Sequence, residues 1–187
     1  MPIGIFGKHN LNNLAGAKWI CQQIGIDEND FYEAISTFHG ASKRLEKIAE
    51  TDNAIAYKDF AHSPSKVLAT TNALKNQYPD RKLIACLELH TYSSLNPEFL
   101  NQYKGALAAA YISVVFYSPR SVEIKKLQAI SHQQIMDAFQ NEDLIVYTNP
   151  SEFKDFLFSQ KFSNTSLLLM SSGNYGGLDF DELKQLF

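Results

Sequence analysis

Hydrophobic residues recur with two different spacings along the chain. From residue 54 onward, short runs that are apolar throughout alternate with longer segments in which apolar residues recur every three or four positions. Runs such as 83–87 and 167–170 are typical of parallel strands buried on both faces, and the segments between them are typical of helices. Strand and helix alternate four times, which predicts a mostly parallel sheet with helices on both faces.

The pattern places each element within narrow bounds. The predicted strands cover residues 45–49, 54–57, 82–87, 112–117, 144–148 and 166–171. The predicted helices of this region cover residues 64–77, 97–109, 131–139, 151–160 and 180–186, and residues 118–130 are expected to be irregular. Ser63 before Pro64 predicts a helix start, because a hydroxyl cap is often followed by proline in the first turn.

The first forty residues follow a different, mainly helical pattern. A short strand over residues 1–6 is followed by two predicted helices, over residues 11–23 with Asn10 as its cap and over residues 28–38 with Asp27 as its cap. We therefore expect a domain boundary near residue 42. Residues 1–42 would be the end of one domain, and residues 43–187 a second domain.

Composition narrows the class of protein. With 45% hydrophobic and 20% charged residues, the 187-residue chain is globular, and its net charge of −3 gives no electrostatic case for binding nucleic acid or an anionic membrane. Cys21 and Cys86 fit no metal-ligand spacing, so we expect free thiols and no metal site. The N-terminal residues lack the pattern of a signal peptide, and the apolar runs are too short to span a bilayer, which predicts a cytoplasmic protein.

The segment 57–66 offers the first candidate chemistry. It follows a predicted strand and opens a helix, and ligands of parallel sheets bind at the carboxyl ends of strands. Asp59 could accept hydrogen bonds from a ribose diol, and Phe60 could lie against a base ring. His62 could be a hydrogen-bonding partner of either domain, or a structural histidine of the core.

Two further groups precede this segment. Asn10 and Asn13 lie three residues apart on one predicted helix face beside His9, and a carboxamide offers the donor and acceptor that match an adenine edge. The competing explanation is helix capping, for which asparagine is common. Arg44 could bind a phosphate or carboxylate as a bidentate fork, or could be a solvated cation beside Lys43.

Two loops after strands suit a polar ligand. One, over residues 88–94, offers His90, Thr91 and Ser93, although an ordinary polar loop explains it equally well. The other, over residues 170–177, offers Ser171 and Asn174 next to glycines that let backbone amides approach an anion. It is not a Walker loop, because no Gly-Lys-Ser/Thr follows the glycines.

In this order the motifs resemble the C-terminal part of the Mur ligases, the ATP-dependent amide-forming enzymes of peptidoglycan synthesis. The resemblance covers essentially the whole chain. The first motif is met at Gly7, His9, Asn10, Asn13, Gly16 and Ala17, with glycine in place of the first alanine; the second at Phe38, Gly40, Lys43, Arg44 and Glu46, with lysine in place of the first arginine; and the third at Asp59, Phe60, Ala61, His62 and Pro64.

The resemblance implies a fold and a set of ligands. The fold would be a Rossmann-like α/β domain preceded by a short helical remnant of the central ATPase domain. The cofactors would be ATP and Mg²⁺, with the magnesium ligands mainly in the central domain. The partners would be UDP-N-acetylmuramate, a cell-wall tripeptide, and the protein's own N-terminal and central domains.

The resemblance also implies a role for each candidate residue. Asn10 and Asn13 would contact adenine, with His9 in support, while Asp59 and Phe60 would complete the nucleotide site. Catalytic roles would fall to Arg44, reaching ribose or the terminal phosphate, and to His62 as its support. The peptide would be received by His90, Thr91, Ser93, Ser171 and Asn174.

The loops favour one substrate over another. The family member that adds L-alanine usually has a Pro-His-Arg loop after the strand 82–87, whereas here Thr91 follows His90 and no arginine is present. This difference favours a ligase that accepts a tripeptide, with the L-alanine ligase as the alternative. The phosphate loop of the family is absent from these 187 residues, so we expect them to be a fragment that is inactive alone. The competing hypothesis is a non-enzymatic α/β module that binds a nucleotide or peptide.

Overall fold

A six-stranded sheet forms the centre of the molecule. The computed structural model describes residues 3–38 and 40–187. Within them the strands are β1 (Glu46–Glu50), β2 (Ala54–Asp59), β3 (Lys82–Glu88), β4 (Ile112–Phe116), β5 (Ile145–Tyr147) and β6 (Thr165–Met170). Their order is β1-β2-β6-β3-β4-β5, and only the β1–β2 pairing among these neighbours is antiparallel. The predicted, mostly parallel sheet is confirmed.

Helices cover both faces of this sheet. They are α1 (Lys8–Gln23), α2 (Glu28–Ser36), α3 (Pro64–Gln77), α4 (Pro97–Leu100), α5 (Pro119–Ile124), α6 (His132–Phe139), α7 (Pro150–Ser159) and α8 (Phe180–Lys184). Successive residues of β6 point to opposite faces: Leu168 enters the hydrophobic cluster that includes Leu74 and Phe139. Leu167 enters the cluster around Phe153. The apolar run 167–170 of β6 is therefore buried on both faces, as the sequence pattern predicts.

Three local predictions are wrong. Asn10 does not cap α1, because the helix begins at Lys8 after Gly7, and the Asn10 amide donates instead to the Phe6 carbonyl at 2.9 Å. The helix predicted over residues 97–109 ends after one turn of α-helix and a 3₁₀ turn, where Lys104 takes φ −45° and ψ 120°. The segment expected to be irregular contains α5, which Pro119 starts.

The N-terminal segment departs from its prediction and is anchored to the sheet domain. Residues 3–6 belong to no strand, and Met1 and Pro2 lie outside the described residues. Phe6 packs edge-on against Tyr57 at 5.5 Å between ring centroids. Gly7 has φ 88°, and a Cβ there would lie 2.8 Å from the Ala73 Cβ, so α1 starts in close contact with α3.

The outer face of α1 is not covered by the rest of the described chain. Leu14 and Ala17 of α1 face a cavity, but Trp19 and Ile20 are 63% and 59% exposed. Across residues 3–38 and 40–187, no helix combines the length and apolarity needed to cross a membrane.

Candidate nucleotide and substrate site

A cavity of about 830 Å³ lies between the N-terminal helices and the carboxyl end of β2. Its polar lining includes five residues singled out from the sequence, namely His9, Asn10, Asn13, Arg44 and Asp59. The apolar lining comes from Leu14, Ala17, Ile35 and Phe38. An apolar cavity of this size with a few convergent polar groups is typical of a small-molecule site.

The carboxamides of α1 lie on the face that looks into the cavity. Asn10, Asn13, Leu14 and Ala17 all line it, as their spacing of three and four residues requires in a helix. Asn10 donates one amide hydrogen to the Phe6 carbonyl. Its carbonyl oxygen and second amide hydrogen stay available to a ligand.

Asp59 is the buried acid of the cavity. One carboxylate oxygen accepts the Leu45 N–H and the other accepts the Ala61 N–H, each at 2.7 Å. Burial raises the pKa of Asp59 above its ordinary value, against the lowering effects of these two N–H groups and of nearby Arg44 and His9. Each oxygen keeps a second lone pair, so the carboxylate can bind a ligand donor without releasing the backbone.

Arg44, Phe60 and His62 form a layered group beside Asp59. The Arg44 guanidinium carbon lies 5.5 Å from the centre of the Phe60 ring, and that ring meets the His62 ring edge-on at 5.1 Å. His62 places Nδ1 2.8 Å from the Phe60 carbonyl oxygen. Its own carbonyl accepts the Tyr103 hydroxyl. Neither Phe60 nor His62 lines the cavity, so their contacts favour a supporting role for both over direct contact with a ligand.

The second group of predicted residues lies at the next strand ends. Strand β6 pairs with β2 on one side and β3 on the other, with Met170 opposite both Asp59 and Leu87. Ser171 N–H donates to the Asp59 carbonyl at 3.0 Å. Because neighbouring strands lie about 4.8 Å apart, the loops after β3 and β6 are close to the cavity's acid.

Glu88 joins these two loops, and it was missing from the residues selected by sequence. Only 3% of it is exposed, and its Oε2 accepts the Ser171 hydroxyl and, at 2.9 Å, the Tyr175 N–H. Its Oε1 lies 3.7 Å from His90 Nδ1. A Cβ on Gly173 would come within 2.8 Å of Oε2, so the glycine loop fits closely over this acid. The buried carboxylate fixes both loops as one platform.

The platform presents several polar side chains to solvent. His90 has a side chain that is 40% exposed, and Ser93 and Asn174 are exposed. Thr91 is turned into the loop, where its hydroxyl lies 3.1 Å from the Ser93 hydroxyl and accepts the Ser94 N–H. Such hydroxyls and an imidazole on rigid loops can bind a polar ligand that carries amide or carboxylate groups.

Tyr175 supports the platform from inside. Its hydroxyl lies 2.8 Å from the carbonyls of both Cys86 in β3 and Met170 at the end of β6. Its ring stacks on Phe153 at 5.0 Å. Among the described residues no group of three His, Cys, Asp or Glu side chains gathers around a point, so this part of the chain offers no complete set of ligands for a divalent cation.

Curated relatives are ligases of peptidoglycan precursors. No family profile matches the chain. The UDP-N-acetylmuramate–L-alanine ligase of Agathobacter rectalis is 27% identical over 189 residues, which cover 99% of this chain and 40% of the relative. The corresponding enzyme of Caldicellulosiruptor saccharolyticus is 40% identical over 95 residues, 51% of this chain and 21% of the relative. The chain thus spans at most about two fifths of these relatives.

Solved structures share the fold. The UDP-N-acetylmuramate–alanine ligase MurC of Thermotoga maritima matches with a TM-score of 0.72 and 17% identity, over 98% of this chain and 37% of that one. A murein peptide ligase of Psychrobacter arcticus matches with a TM-score of 0.66 and 21% identity, over 96% and 37%. The MurF ligase of Thermotoga maritima in complex with ADP matches with a TM-score of 0.61 and 15% identity, over 97% of this chain and 38% of that one.

The sequence and fold comparisons cover the same part of the chain. The sequence similarity extends over nearly the whole chain, and the shared fold includes both the sheet domain and the helices α1 and α2. The chain is thus similar in sequence to UDP-N-acetylmuramate–L-alanine ligases and shares the fold of several Mur ligases, and these similarities do not distinguish one such ligase from another.

Proposed function

We propose that this chain is the C-terminal part of an ATP-dependent ligase that joins the carboxylate of UDP-N-acetylmuramate to an amine through an acyl phosphate. The observation that carries the proposal is the cavity, which gathers an aspartate, an arginine and two asparagines at the carboxyl end of β2. Residues 1–42 would complete a central ATPase domain, and residues 43–187 would form the C-terminal domain.

The cavity's residues fit a nucleotide. Asn10 and Asn13 would hold the adenine edge, because each has a free acceptor and donor on the face that lines the cavity. Asp59 would accept the ribose hydroxyls through its remaining lone pairs. Arg44 would hold the terminal phosphates, and its position over the Phe60 ring limits its freedom. ATP supplies the phosphoryl group that activates the carboxylate.

The platform around Glu88 would receive the amine. His90, Ser93 and Asn174 offer polar groups to solvent, with Thr91 and Ser171 bonded beneath them. Because Ser171 is bonded to the backbone of Asp59, the amine site and the nucleotide site would keep a fixed distance. Closure of this domain on the rest of the enzyme would exclude water from a reactive acyl phosphate.

Two amines are candidates. Thr91 follows His90 at the position where an arginine would offer a cation to a free amino acid. This difference favours the peptide L-alanyl-γ-D-glutamyl-meso-diaminopimelate as the amine. The whole protein would then be UDP-N-acetylmuramate:L-alanyl-γ-D-glutamyl-meso-diaminopimelate ligase. The second candidate amine is L-alanine, which the names of the curated relatives favour. The whole protein would work in the cytoplasm, where the nucleotide sugar and ATP are present.

The test measures amine-dependent phosphate release. The full-length protein is given ATP, Mg²⁺ and UDP-N-acetylmuramate with either the tripeptide or L-alanine. We expect kcat/KM to be higher for the tripeptide by at least about tenfold, the effect of one lost hydrogen-bonded contact. Higher kcat/KM for L-alanine would replace the first candidate by the second. If neither amine stimulates phosphate release, the proposed ligase activity is contradicted.

A further inference from the structure

The linker between α2 and β1 contains an unusual backbone next to the candidate arginine. Lys43 has φ 56° and Leu45 has φ 45°, so both residues that flank Arg44 are left-handed. Arg44 N–H donates to the Ala41 carbonyl at 3.0 Å, which closes a β-turn with Lys43 at its third position. A positive φ at that position is normally supplied by glycine or asparagine. Side chains with a Cβ remain there only when the surroundings hold them.

We infer that Glu46 is a positioning residue for the cavity: it holds the left-handed turn at Lys43 and thereby aims Arg44 at its ligand. The inference rests on the proposed nucleotide site and adds to it a residue that lies outside the lining of the cavity.

The contacts of Glu46 account for the held turn. Its Oε2 accepts the Lys43 N–H at 2.7 Å and the Ser42 hydroxyl at 3.2 Å, and its Oε1 is paired with Lys58 Nζ at 2.9 Å. Partial burial raises the pKa of Glu46, but the bonds from Lys43 and Lys58 outweigh it and leave that pKa below the ordinary value. The carboxylate is thus ionised at neutral pH and bonded on both sides.

The other side of Arg44 is held by β2. Asp59 accepts the Leu45 N–H, and Phe60 N–H donates to the Lys43 carbonyl at 2.8 Å. The backbone before and after Arg44 is therefore fixed by two acids on neighbouring strands. With both flanks fixed, the guanidinium lies over Phe60 and faces the cavity. Release of the Lys43 turn would free Arg44 while leaving the sheet in place.

The experiment combines removal of the acid with relief of strain. In the full-length protein, Glu46→Ala is expected to lower kcat/KM for ATP about tenfold, as after loss of one charged contact. Glu50→Ala is the matched control, since Glu50 is an exposed acid of the same strand, bonded to Lys47. Lys43→Gly lets the backbone adopt the left-handed turn without support from Glu46. In the Lys43→Gly background, Glu46→Ala should therefore lower kcat/KM for ATP by less than about threefold.

Three outcomes decide between the alternatives. Equal losses from Glu46→Ala with and without Lys43→Gly would overturn the positioning role, because strain relief would then be irrelevant. A loss from Glu50→Ala equal to that from Glu46→Ala would also overturn it. If the wild-type protein shows no ATP-dependent turnover, the proposed function fails, and backbone order parameters of this chain still test the inference. Glu46→Ala must then lower the order parameters of Lys43 and Arg44 below about 0.6, and unchanged values would refute it.

Discussion

Tyr175→Phe tests whether the platform depends on one buried hydroxyl. Tyr175 is 1% exposed, and its hydroxyl lies within hydrogen-bond distance of the Cys86 carbonyl in β3 and the Met170 carbonyl at the end of β6. The substitution keeps the ring stacked on Phe153 and opens no cavity, so only the hydrogen bond is lost. We expect a fall in unfolding free energy of about 1–1.5 kcal/mol at pH 7. For 187 residues this corresponds to a fall in Tm of about 3–4 °C.

The pH dependence of the unfolding free energy of the wild type and of Tyr175→Phe gives a second test. Burial raises the pKa of Tyr175 well above its ordinary value of 10.0. Its contribution to stability is complete below the unfolded pKa and is lost as pH rises towards the folded pKa, since only the unfolded state then ionises. The wild type should lose about 1.4 kcal/mol per pH unit above pH 10 from this group, and Tyr175→Phe should not. The two unfolding free energies should therefore meet near pH 11.

The assay is urea unfolding followed by circular dichroism at pH 7 and at intervals to pH 11. Tyr111→Phe is the matched control, because Tyr111 is 67% exposed and its substitution should change the unfolding free energy by less than about 0.5 kcal/mol. Equal effects of the two substitutions at pH 7 would refute the reasoning. A difference between wild type and Tyr175→Phe that stays constant to pH 11 would do so as well.

Further substitutions test the anchoring of α1 and the platform. Gly7→Ala should lower the unfolding free energy by about 1–3 kcal/mol in thermal unfolding, because φ is 88° and the new Cβ contacts Ala73. Gly16→Ala is the control: no atom lies within 4 Å of its Cβ, so this substitution should be neutral or stabilising. Similar losses from both would contradict the contact between α1 and α3. Glu88→Ala should lower the unfolding free energy measured in urea by about 2–3 kcal/mol, since it leaves the Tyr175 N–H without a partner. Glu142→Ala, a substitution of an exposed acid, is the control. A loss no larger than that from Glu142→Ala would rule out a fixed platform.

The central strands of the sheet could be predicted from sequence because each contains a continuous run of apolar residues. Strands such as β3 and β6 need no distant information, since burial on both faces leaves a continuous run of apolar residues. The grouping of Asp59 with the loops after β3 and β6 follows from the same pattern, because parallel strands end at one edge. The prediction that Asn10 and Asn13 share a face depends only on helical spacing.

Other features depend on contacts between distant residues. The start of α1 is set by the close approach of Gly7 to Ala73, which no local pattern reveals. Glu88 looks like an ordinary polar residue after a strand, and its burial depends on a loop 83 residues further along the chain. The signal available in the sequence is an acid at the end of a mainly apolar strand, the position that Asp59 also occupies on β2.

The most direct test of the nucleotide site is the KM for ATP of full-length protein carrying Asp59→Ala. Asp59 is the buried acid of the cavity and keeps two free lone pairs for a ribose diol. Asp52→Ala, a change of an exposed acid in the turn before β2, is the control. We predict a rise in KM of at least about tenfold for Asp59→Ala and no change for the control. An unchanged KM in a folded Asp59→Ala protein would contradict the assignment of this cavity to the nucleotide.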